Sequence, residues 1–501
     1  MNTINKIVKE SGINFIGSLL GNILGYIWLM LVARYISQED FGSFILAQSI
    51  INISMIFVLL GTHKSLDRYI PIYQAAGEQG KIKHIIWITF QITIIMSFVV
   101  GFSLYAGRNL ISNQIFSNPT LSRLLPILIF SIPLLALTMI VIFSFGGYKE
   151  LRYYVYLKQF LEPALKILFM ILVAFLGLGI IQWTWLYLVA ILITAVAAGW
   201  FLIKGILKPL AEVPVSQINF REIISYSWPI SISSILILLM GQIDYIILGI
   251  YHPAANVGIY RIYIQIVALL KLILGSIARI YKPVISELIP EKKYAEINDT
   301  YRRISKWVLA LTTLGVLVIV LYGNRLTSLL FTGAYSVYPL ALIILALGTY
   351  LNSAFGPEGM TLEAFGNTKL IMINSLITLS VNIGLGLLLI PEFGLVGAAI
   401  ATGVTLALGG LLGFLEINYL YKMQPFSSNT LKFIFIGLIT GGVFSGFDLL
   451  LNSNSIFYLL LSIGLMVVFY ISGLVITRCL DEVDRNIINQ IITRFTPQKS
   501  N

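Results

Sequence analysis

Charged and polar side chains lie inside two long apolar runs in the middle of this sequence. The run from 223 to 249 carries Ser234 and Asp244 on one helical face, and the run from 258 to 280 carries a basic and amide face. The second face consists of Arg261, Gln265, Lys271 and Arg279. A charge in the middle of a bilayer costs roughly 2.5–3.5 kcal/mol, so both faces are predicted to contact protein or water. Fixed cations beside hydroxyls and amides suit an anionic ligand that carries hydroxyl groups.

Lys271 is the strongest single candidate for a ligand contact, because it lies near the middle of its run. Arg261 and Arg279 lie close enough to the ends of the run to reach the membrane surface by snorkelling. Asp244 is the candidate carboxylate for coupling to a cation. The alternative interpretation is an ion pair of Asp244 with Lys271 or Arg261 that only holds the two helices together.

Three further polar stripes follow helical steps of four residues. Gln48 and Asn52 share a face in the second apolar run and are predicted to line the same cavity. Lys166 follows Lys158 and Glu162 in a ladder that indicates either self-neutralising pairing along the helix or a cavity-lining lysine. Asn374 begins a stripe that continues with Thr378 and Asn382, which predicts either interhelical hydrogen bonds or contacts with a sugar or ion.

The first apolar run carries three glycines at steps of four: Gly17, Gly21 and Gly25. Small residues at this spacing let two membrane helices approach closely. The ladder therefore predicts a packing face, and its smoothness also suits a sliding gate.

The composition places the chain in the membrane. Hydrophobic residues make up 58% of the 501 residues, charged residues only 11%, and the mean hydropathy is +0.90. Apolar runs of about 20 residues match the thickness of a bilayer, so we expect an all-α polytopic membrane protein with about fourteen spans. The net charge of +11 fits a lysine and arginine bias of the cytoplasmic loops and does not indicate nucleic-acid binding.

No catalytic constellation is apparent in the sequence. The single cysteine excludes an intramolecular disulfide, and the three histidines show no metal-ligand grouping. A phosphate-binding glycine loop, a nucleophile elbow and an ATPase motif are also absent. We therefore expect a protein that is not an enzyme and has no catalytic residue, metal site or cofactor beyond a coupling ion.

Lysine and arginine residues concentrate in alternate loops, and the other loops are short and carry few of them. This asymmetry predicts that both termini are cytoplasmic. The charged loop 63–83 is predicted to be helical along the membrane surface.

The connector ARYISQEDFGSF returns later as GIYHPAANVGIY. Tyr35 and Tyr251 are 216 positions apart, and so are Gly42 and Gly258. Such a repeat predicts two six-helix copies of the same orientation, related by a pseudo-twofold axis along the membrane normal around a central cavity. The predicted organisation is a first bundle, a cytoplasmic linker, a second bundle, an added helix pair and a cytoplasmic tail: 1–204, 205–222, 223–420, 421–478 and 479–501.

These two connectors, together with PEFGLVGAAIATG from Pro391 to Gly403, resemble the turns of bacterial O-antigen and polysaccharide flippases. Over roughly residues 5–480 the chain is similar to the multidrug/oligosaccharidyl-lipid/polysaccharide exporter superfamily. The resemblance implies translocation of an undecaprenyl-pyrophosphate-linked oligosaccharide across the bacterial inner membrane by alternating access, for O-antigen, lipopolysaccharide or other surface polysaccharide biosynthesis. It also implies a Na⁺ or H⁺ gradient as driving force, and polymerase and chain-length regulator proteins as candidate partners.

One departure concerns the cargo. Lipid II flippases of this superfamily carry cavity arginines in their first two spans, whereas this chain has Trp28, Gln48 and Asn52 there, which argues against lipid II. Two alternatives are a cation-coupled drug exporter of the same superfamily and a membrane glycan polymerase or ligase. The basic face disfavours cationic drugs, and the short outer loops disfavour an enzyme that must hold an acceptor.

Overall fold

The computed structural model describes residues 3–218, 232, 235–426, 430–451, 455–477 and 479. These residues form helices and no strand, as the predicted all-α class requires. The predicted tail from 480 onward, most of the start of the predicted seventh span (219–231 and 233–234, with Ser234) and the side chain of Arg279 lie outside the described part.

The helices of the first half follow one another with short connections. They are α1 (Thr3–Tyr35), α2 (Gln38–Leu59), α3 (Thr62–Ala75), α4 (Gln79–Asn109), α5 (Pro119–Ile129), α6 (Ser131–Gly147), α7 (Arg152–Tyr154), α8 (Glu162–Leu176) and α9 (Ile180–Leu202). Three π-helical turns extend or join them: Leu110–Ile115, Val155–Leu161 and Ile203–Leu207.

The second half continues with longer helices. They are α10 (Ile243–Tyr251), α11 (Ala254–Leu288), α12 (Tyr294–Phe331), α13 (Pro339–Ala354), α14 (Glu358–Ala364), α15 (Thr368–Tyr421), α16 (Thr430–Leu451) and α17 (Ile456–Ile476). A single 3₁₀ turn, Gly333–Tyr335, lies between α12 and α13.

Ten helices in the described part are long and apolar enough to cross a membrane, and the bent pair α5 and α6 makes eleven if it is one span. The axes of that pair differ by 45°. α15 covers two of the predicted spans, and the shorter apolar helices Ile235–Tyr251 and Lys432–Gly446 fall on two more. The multi-pass membrane character is thus confirmed, while the count of fourteen stays a prediction.

The break between two predicted spans inside α15 comes from a glycine. Gly394 has φ 55° and ψ −127°, a conformation that is open to glycine but strained for residues with a Cβ. The preceding Pro391 cannot donate a backbone hydrogen bond. The motif PEFG therefore ends one helical segment and starts the next, which agrees with its resemblance to a turn.

The described residues group into two compact units. The first consists of Met1–Gln265, Thr327–Tyr338 and Ser375–Thr402, and the second of Ile266–Leu326, Pro339–Asn374 and Gly403–Asn501. These groups are not continuous in the chain. The division into two six-helix repeats stays a prediction.

Polar caps start two helices of the first unit. The Ser37 side chain accepts a hydrogen bond from the Asp40 backbone at 3.1 Å and begins α2, with Glu39 and Asp40 in the first turn. Asn118 caps α5 in the same way, since its side chain accepts from the Leu121 backbone at 2.9 Å. The charged loop after α2 forms α3, whose Leu66, Tyr69 and Ile70 are buried in the bundle core. Most of this loop is therefore helical, while its position along the membrane surface stays a prediction.

The second unit is held by close helix crossings and an aromatic core. A Cβ on Gly348 would overlap the backbone of Gly403, so α13 and α15 cross there at minimal distance. Asn352 donates to the Leu406 carbonyl at 2.9 Å close to this crossing. Tyr281 and Tyr301 are fully buried in the core of the same unit.

The two repeated connectors of the sequence contact each other within the first unit. A Cβ on Gly42 would overlap the Ala254 carbonyl, and a Cβ on Gly258 would lie 3.0 Å from the Gln38 carbonyl. The Glu39 carboxylate also accepts a hydrogen bond from the Ala255 backbone at 3.1 Å, where it caps α11. The glycines that mark the sequence repeat thus permit the closest approach of α2 and α11.

Candidate functional site

The first unit contains a cavity of about 500 Å³ with a polar wall. Its lining residues come from α2, α3, α5, α6, the π-helical turn Val155–Leu161, α8 and α9, and from the chain just before α10. Three of the predicted site residues line it: Gln48, Asn52 and Lys166. The other polar lining residues are His63, Ser131, Lys158, Glu162, Tyr187 and Gln242.

Three charged side chains form a linear ion-pair network in this cavity. Lys158 Nζ lies 2.7 Å from Glu162 Oε2, and Lys166 Nζ lies 2.7 Å from Glu162 Oε1. The side chains are only 15%, 9% and 14% exposed in chain order, so the network is largely desolvated. The pairing predicted from the four-residue steps is formed, and the same lysines also face the cavity.

Aromatic residues fix the position of Lys166. Its ammonium lies 4.5 Å from the centre of the Tyr187 ring and 5.7 Å from that of Trp28, which are distances for cation–π contacts. It also lies 3.5 Å from the Tyr187 hydroxyl, to which Gln48 donates at 2.7 Å. Phe44 packs edge-on against Tyr187 with ring centres 5.0 Å apart. Four helices therefore meet around one ammonium group.

The backbone that carries Lys158 is a π-helical turn, Val155–Leu161, directly before Glu162. Pro163 follows, and it lacks the N–H that would bond the Gln159 carbonyl in a regular α-helix. Wide turns of this kind occur often at functional sites. Lys158 thus lies four residues before Glu162, and both side chains face the cavity.

α1 packs on this π-helical turn through two of the three predicted glycines. A Cβ on Gly17 would lie 2.8 Å from Val155 Cγ2, and a Cβ on Gly21 would lie 2.9 Å from Gln159 Cβ. A Cβ on Gly25 would meet no described atom within 4 Å. Gly17 and Gly21 thus lie at a close approach of α1 to this turn, whereas no described atom approaches the Cβ position of Gly25. The role of the glycine ladder as a gate stays a prediction.

Asp244 lies at a second buried polar site of the first unit. It is 5% exposed, and its Oδ2 accepts hydrogen bonds from Tyr260 at 3.0 Å and from the Thr402 hydroxyl. Asn382 adjoins the carboxylate. Within the described part, Asp244 Oδ1 and Asn382 Oδ1 are buried and accept no hydrogen bond. Uncompensated buried oxygens are costly, and such a group of oxygens is suited to a hard cation.

The alternative ion pair between Asp244 and Arg261 is not formed in the described structure, since Arg261 lies beside Tyr245. The two hydrogen bonds to Asp244 Oδ2 come from hydroxyl groups. Asp244 is therefore held by hydroxyl groups and not by an ion pair with Arg261 in the described structure.

The remaining predicted residues lie in several places. Lys271 is exposed on α11. The Gln265 backbone carbonyl accepts from the Tyr26 hydroxyl. In the second unit, Asn374 donates to Glu416 at 2.8 Å, which is the interhelical hydrogen bond that one interpretation predicted.

Several residues of the two sites were not predicted. They are His63, Tyr187, Tyr260 and Thr402. Lys158 and Glu162 were predicted as members of a pairing ladder, but not to line a cavity. One signal lay in the repeat, where Phe44 of the first connector corresponds to Tyr260 of the second. The added hydroxyl at Tyr260 marked a polar site in the second copy.

The chain matches the profiles of two protein families and resembles several known proteins. The profile of the family described as "Polysaccharide biosynthesis protein" matches residues 7–289, and the MatE profile matches residues 229–388. The chain is 25% identical to a probable low-salt glycan biosynthesis flippase, Agl15, of Haloferax volcanii, over 49% of this chain and 52% of that protein. It is 26% identical to the capsular polysaccharide biosynthesis protein CapF of Staphylococcus aureus, over 41% of this chain and 50% of that one. The matches thus span about half of these two relatives.

Solved structures show the same fold. A lipid II flippase, MurJ, in an inward closed conformation superimposes with a TM-score of 0.75 at 17% identity, covering 94% of this chain and 99% of that one. Because the identity is low, this likeness concerns the fold alone. The profile match over more than half of the chain shows that the protein belongs to the polysaccharide biosynthesis protein family, within the multidrug/oligosaccharidyl-lipid/polysaccharide exporter superfamily.

Proposed function

We propose that this protein is a flippase for a lipid-linked oligosaccharide. The cargo is an undecaprenyl-pyrophosphate-linked repeat unit, and the protein moves it from the cytoplasmic to the outer leaflet of the bacterial inner membrane. The observation that carries the proposal is the cavity with two fixed ammonium groups, Lys158 and Lys166, inside a bundle of membrane helices. The family match and the flippase among the relatives support it.

The chemistry of the cavity fits such a head group. A pyrophosphate is an anion that lysine ammonium groups bind through charge-assisted hydrogen bonds. Gln48, Asn52 and Tyr187 supply amide and hydroxyl groups for sugar hydroxyls. The polyprenyl tail stays in the lipid during transfer, so the cavity needs to enclose only the head group.

The proposed mechanism is alternating access, in which two halves rock around the cargo. The contact between Gly42 and Gly258 joins the repeated connectors and supports a gate at the outer rim. Opening this gate separates α2 from α11 and releases the cargo to the outer side. In this scheme both termini are cytoplasmic, and Arg261, Gln265, Lys271 and Arg279 guide the head group along its path.

Asp244 is the proposed coupling carboxylate, with Na⁺ or H⁺ as the ion. A cation there would be bound by Asp244 Oδ1, Asn382 Oδ1 and the Thr402 hydroxyl, while a proton would neutralise Asp244 alone. Binding of either removes an uncompensated buried acceptor. Binding of the ion at Asp244 can therefore shift the protein towards the conformation in which this site is formed.

The second candidate is a cation-coupled exporter of small molecules. The MatE profile over residues 229–388 and the buried Asp244 favour it. The ammonium groups of Lys158 and Lys166 oppose it for cationic drugs, because like charges repel in a poorly solvated cavity. Transporters among the relatives and superimposed structures indicate that the protein is a transporter rather than an enzyme.

The test is lipid analysis of a deletion strain. Lipid-linked saccharides are extracted from right-side-out vesicles after treatment with an impermeant glycan-modifying enzyme. We expect the repeat unit to accumulate unmodified on the inner leaflet, which also identifies the cargo. Repeat units that reach the outer leaflet but stay unpolymerised would contradict the flippase and favour the alternative function of a membrane glycan polymerase or ligase.

A further inference from the structure

Glu162 holds both cavity lysines in the described structure. Each of its carboxylate oxygens accepts one ammonium at 2.7 Å. A phosphate group offers the same kind of acceptor to the same donors. A carboxylate and a phosphate therefore compete for Lys158 and Lys166.

The two lysines are held unequally. Lys166 contacts Glu162, the Tyr187 hydroxyl and the rings of Tyr187 and Trp28. Lys158, in contrast, has Glu162 as its hydrogen-bond partner among the described residues, and it stands on the π-helical turn Val155–Leu161. Loss of the contact with Glu162 therefore frees Lys158, while Lys166 keeps its aromatic neighbours.

In the predicted sequence repeat, the positions that correspond to these charges are neutral. At the offset of 216 positions that relates Gly42 to Gly258, the equivalents of Lys158, Glu162 and Lys166 are Asn374, Thr378 and Asn382. The corresponding stripe of the predicted second copy thus consists of neutral side chains, of which Thr378 and Asn382 are buried. Replacing a buried ion network with neutral residues is often no less stable, so packing alone does not explain the charges.

We propose that Glu162 is a built-in competitor of the cargo: an anionic phosphate group displaces it from Lys158 and then binds Lys158 and Lys166. This inference rests on the proposed function only through the anionic character of the cargo. The competitor keeps the two lysines paired until a phosphate arrives. It also weakens binding enough for the cargo to leave on the other side.

The test compares binding of farnesyl pyrophosphate, a short polyprenyl pyrophosphate, to the purified full-length protein in detergent by titration calorimetry. Glu162→Gln removes the competing charge, and we expect roughly tenfold tighter binding. The matched control is Glu150→Gln, which breaks the ion pair with Arg152 (3.2 Å) outside the cavity and should leave the affinity unchanged. Equal or weaker binding by Glu162→Gln would overturn the proposal.

Two further variants keep the test decisive. Glu162→Asp retains the negative charge but is too short to reach both lysines. It provides a folded variant in the event that Glu162→Gln does not fold, and it should bind farnesyl pyrophosphate severalfold tighter than wild type. Adding Lys158→Gln to either variant should abolish the gain, and a gain that persists would overturn the assignment to Lys158. Binding by wild type without any gain in the Glu162 variants contradicts this inference alone. Absence of binding in wild type and all variants would instead contradict the anionic cargo of the proposed function.

Discussion

Replacing Gly17 and Gly25 with alanine provides a matched test of how α1 packs on the π-helical turn. Both are helical glycines on the same helix, and Gly→Ala in a helix interior gains about 0.8–1 kcal/mol of intrinsic propensity. At Gly17 the new methyl would lie 2.8 Å from Val155 Cγ2 and 3.0 Å from its Cβ. Val155 is buried and β-branched, so it has little freedom to move. A methyl group at Gly25 would meet no described atom within 4 Å.

Overpacking of this kind costs about 1–3 kcal/mol. Because the propensity gain is common to both variants, their difference isolates the packing cost. At about 2–4 °C per kcal/mol for domains of 150–250 residues, the apparent Tm of Gly17→Ala should lie roughly 2–12 °C below that of Gly25→Ala. The assay is thermal unfolding of the purified protein in detergent, followed by fluorescence.

The same pair of variants tests function. The methyl at Gly17 pushes on the turn that carries Lys158, so export should fall in Gly17→Ala and remain normal in Gly25→Ala. Equal melting temperatures and equal export in the two variants would refute the packing of α1 on this turn.

Three further predictions concern other parts of the molecule. Asp244→Asn should abolish the dependence of transport on a Na⁺ or H⁺ gradient while the protein still binds farnesyl pyrophosphate; transport that keeps its ion dependence would contradict the role of Asp244. Burial, aided by Lys64, lowers the pKa of His63 from 6.5 to about 4, so the folded state binds fewer protons than the unfolded state below pH 6.5. The contribution of His63 to the free energy of unfolding should therefore fall by about 2–3 kcal/mol between pH 6.5 and 4.5. Thermal melts of His63→Gln should lack this loss relative to wild type, whereas an identical pH profile of the two proteins would refute it. Gly258→Leu should prevent closure of α2 on α11 and stop transport, as measured by complementation with Gly275→Leu as a control on the same helix; complementation by both would exclude the gate.

The pH experiment needs the variant because a neighbouring group titrates with the opposite sign. Burial raises the pKa of Asp67 from 3.8 to about 6, although Lys64 opposes the shift. The folded state therefore binds more protons at Asp67 between these pH values, and its contribution to stability increases as the pH falls. The difference between His63→Gln and wild type isolates His63.

Much of the fold could be predicted from the sequence because apolar run length and turn residues act locally. The PEFG motif predicted a boundary that the structure places at Gly394, where only the conformation of glycine allows the break. The spacing of Lys158, Glu162 and Lys166 predicted the ion pairs that the structure shows, because side chains four residues apart on a helix are neighbours.

The sites could be predicted only in part, because helical periodicity says which residues share a face but not which helices are neighbours. Gln48 and Lys166 were each predicted to line a cavity, yet nothing in the sequence indicated that Tyr187 joins them. Thr402 reaches Asp244 from a helix 158 positions away. The role of Lys271, the strongest candidate from the sequence, stays a prediction.

The most direct test of the account is the leaflet assay in a deletion strain that carries Lys166→Gln. The control is Lys204→Gln, a lysine that stacks 4.8 Å from the Trp200 ring outside the cavity. At equal protein levels in the membrane, we predict that the lipid-linked repeat unit accumulates on the inner leaflet with Lys166→Gln and reaches the outer leaflet with Lys204→Gln. Normal transfer to the outer leaflet with Lys166→Gln would contradict the claim that this cavity carries the cargo.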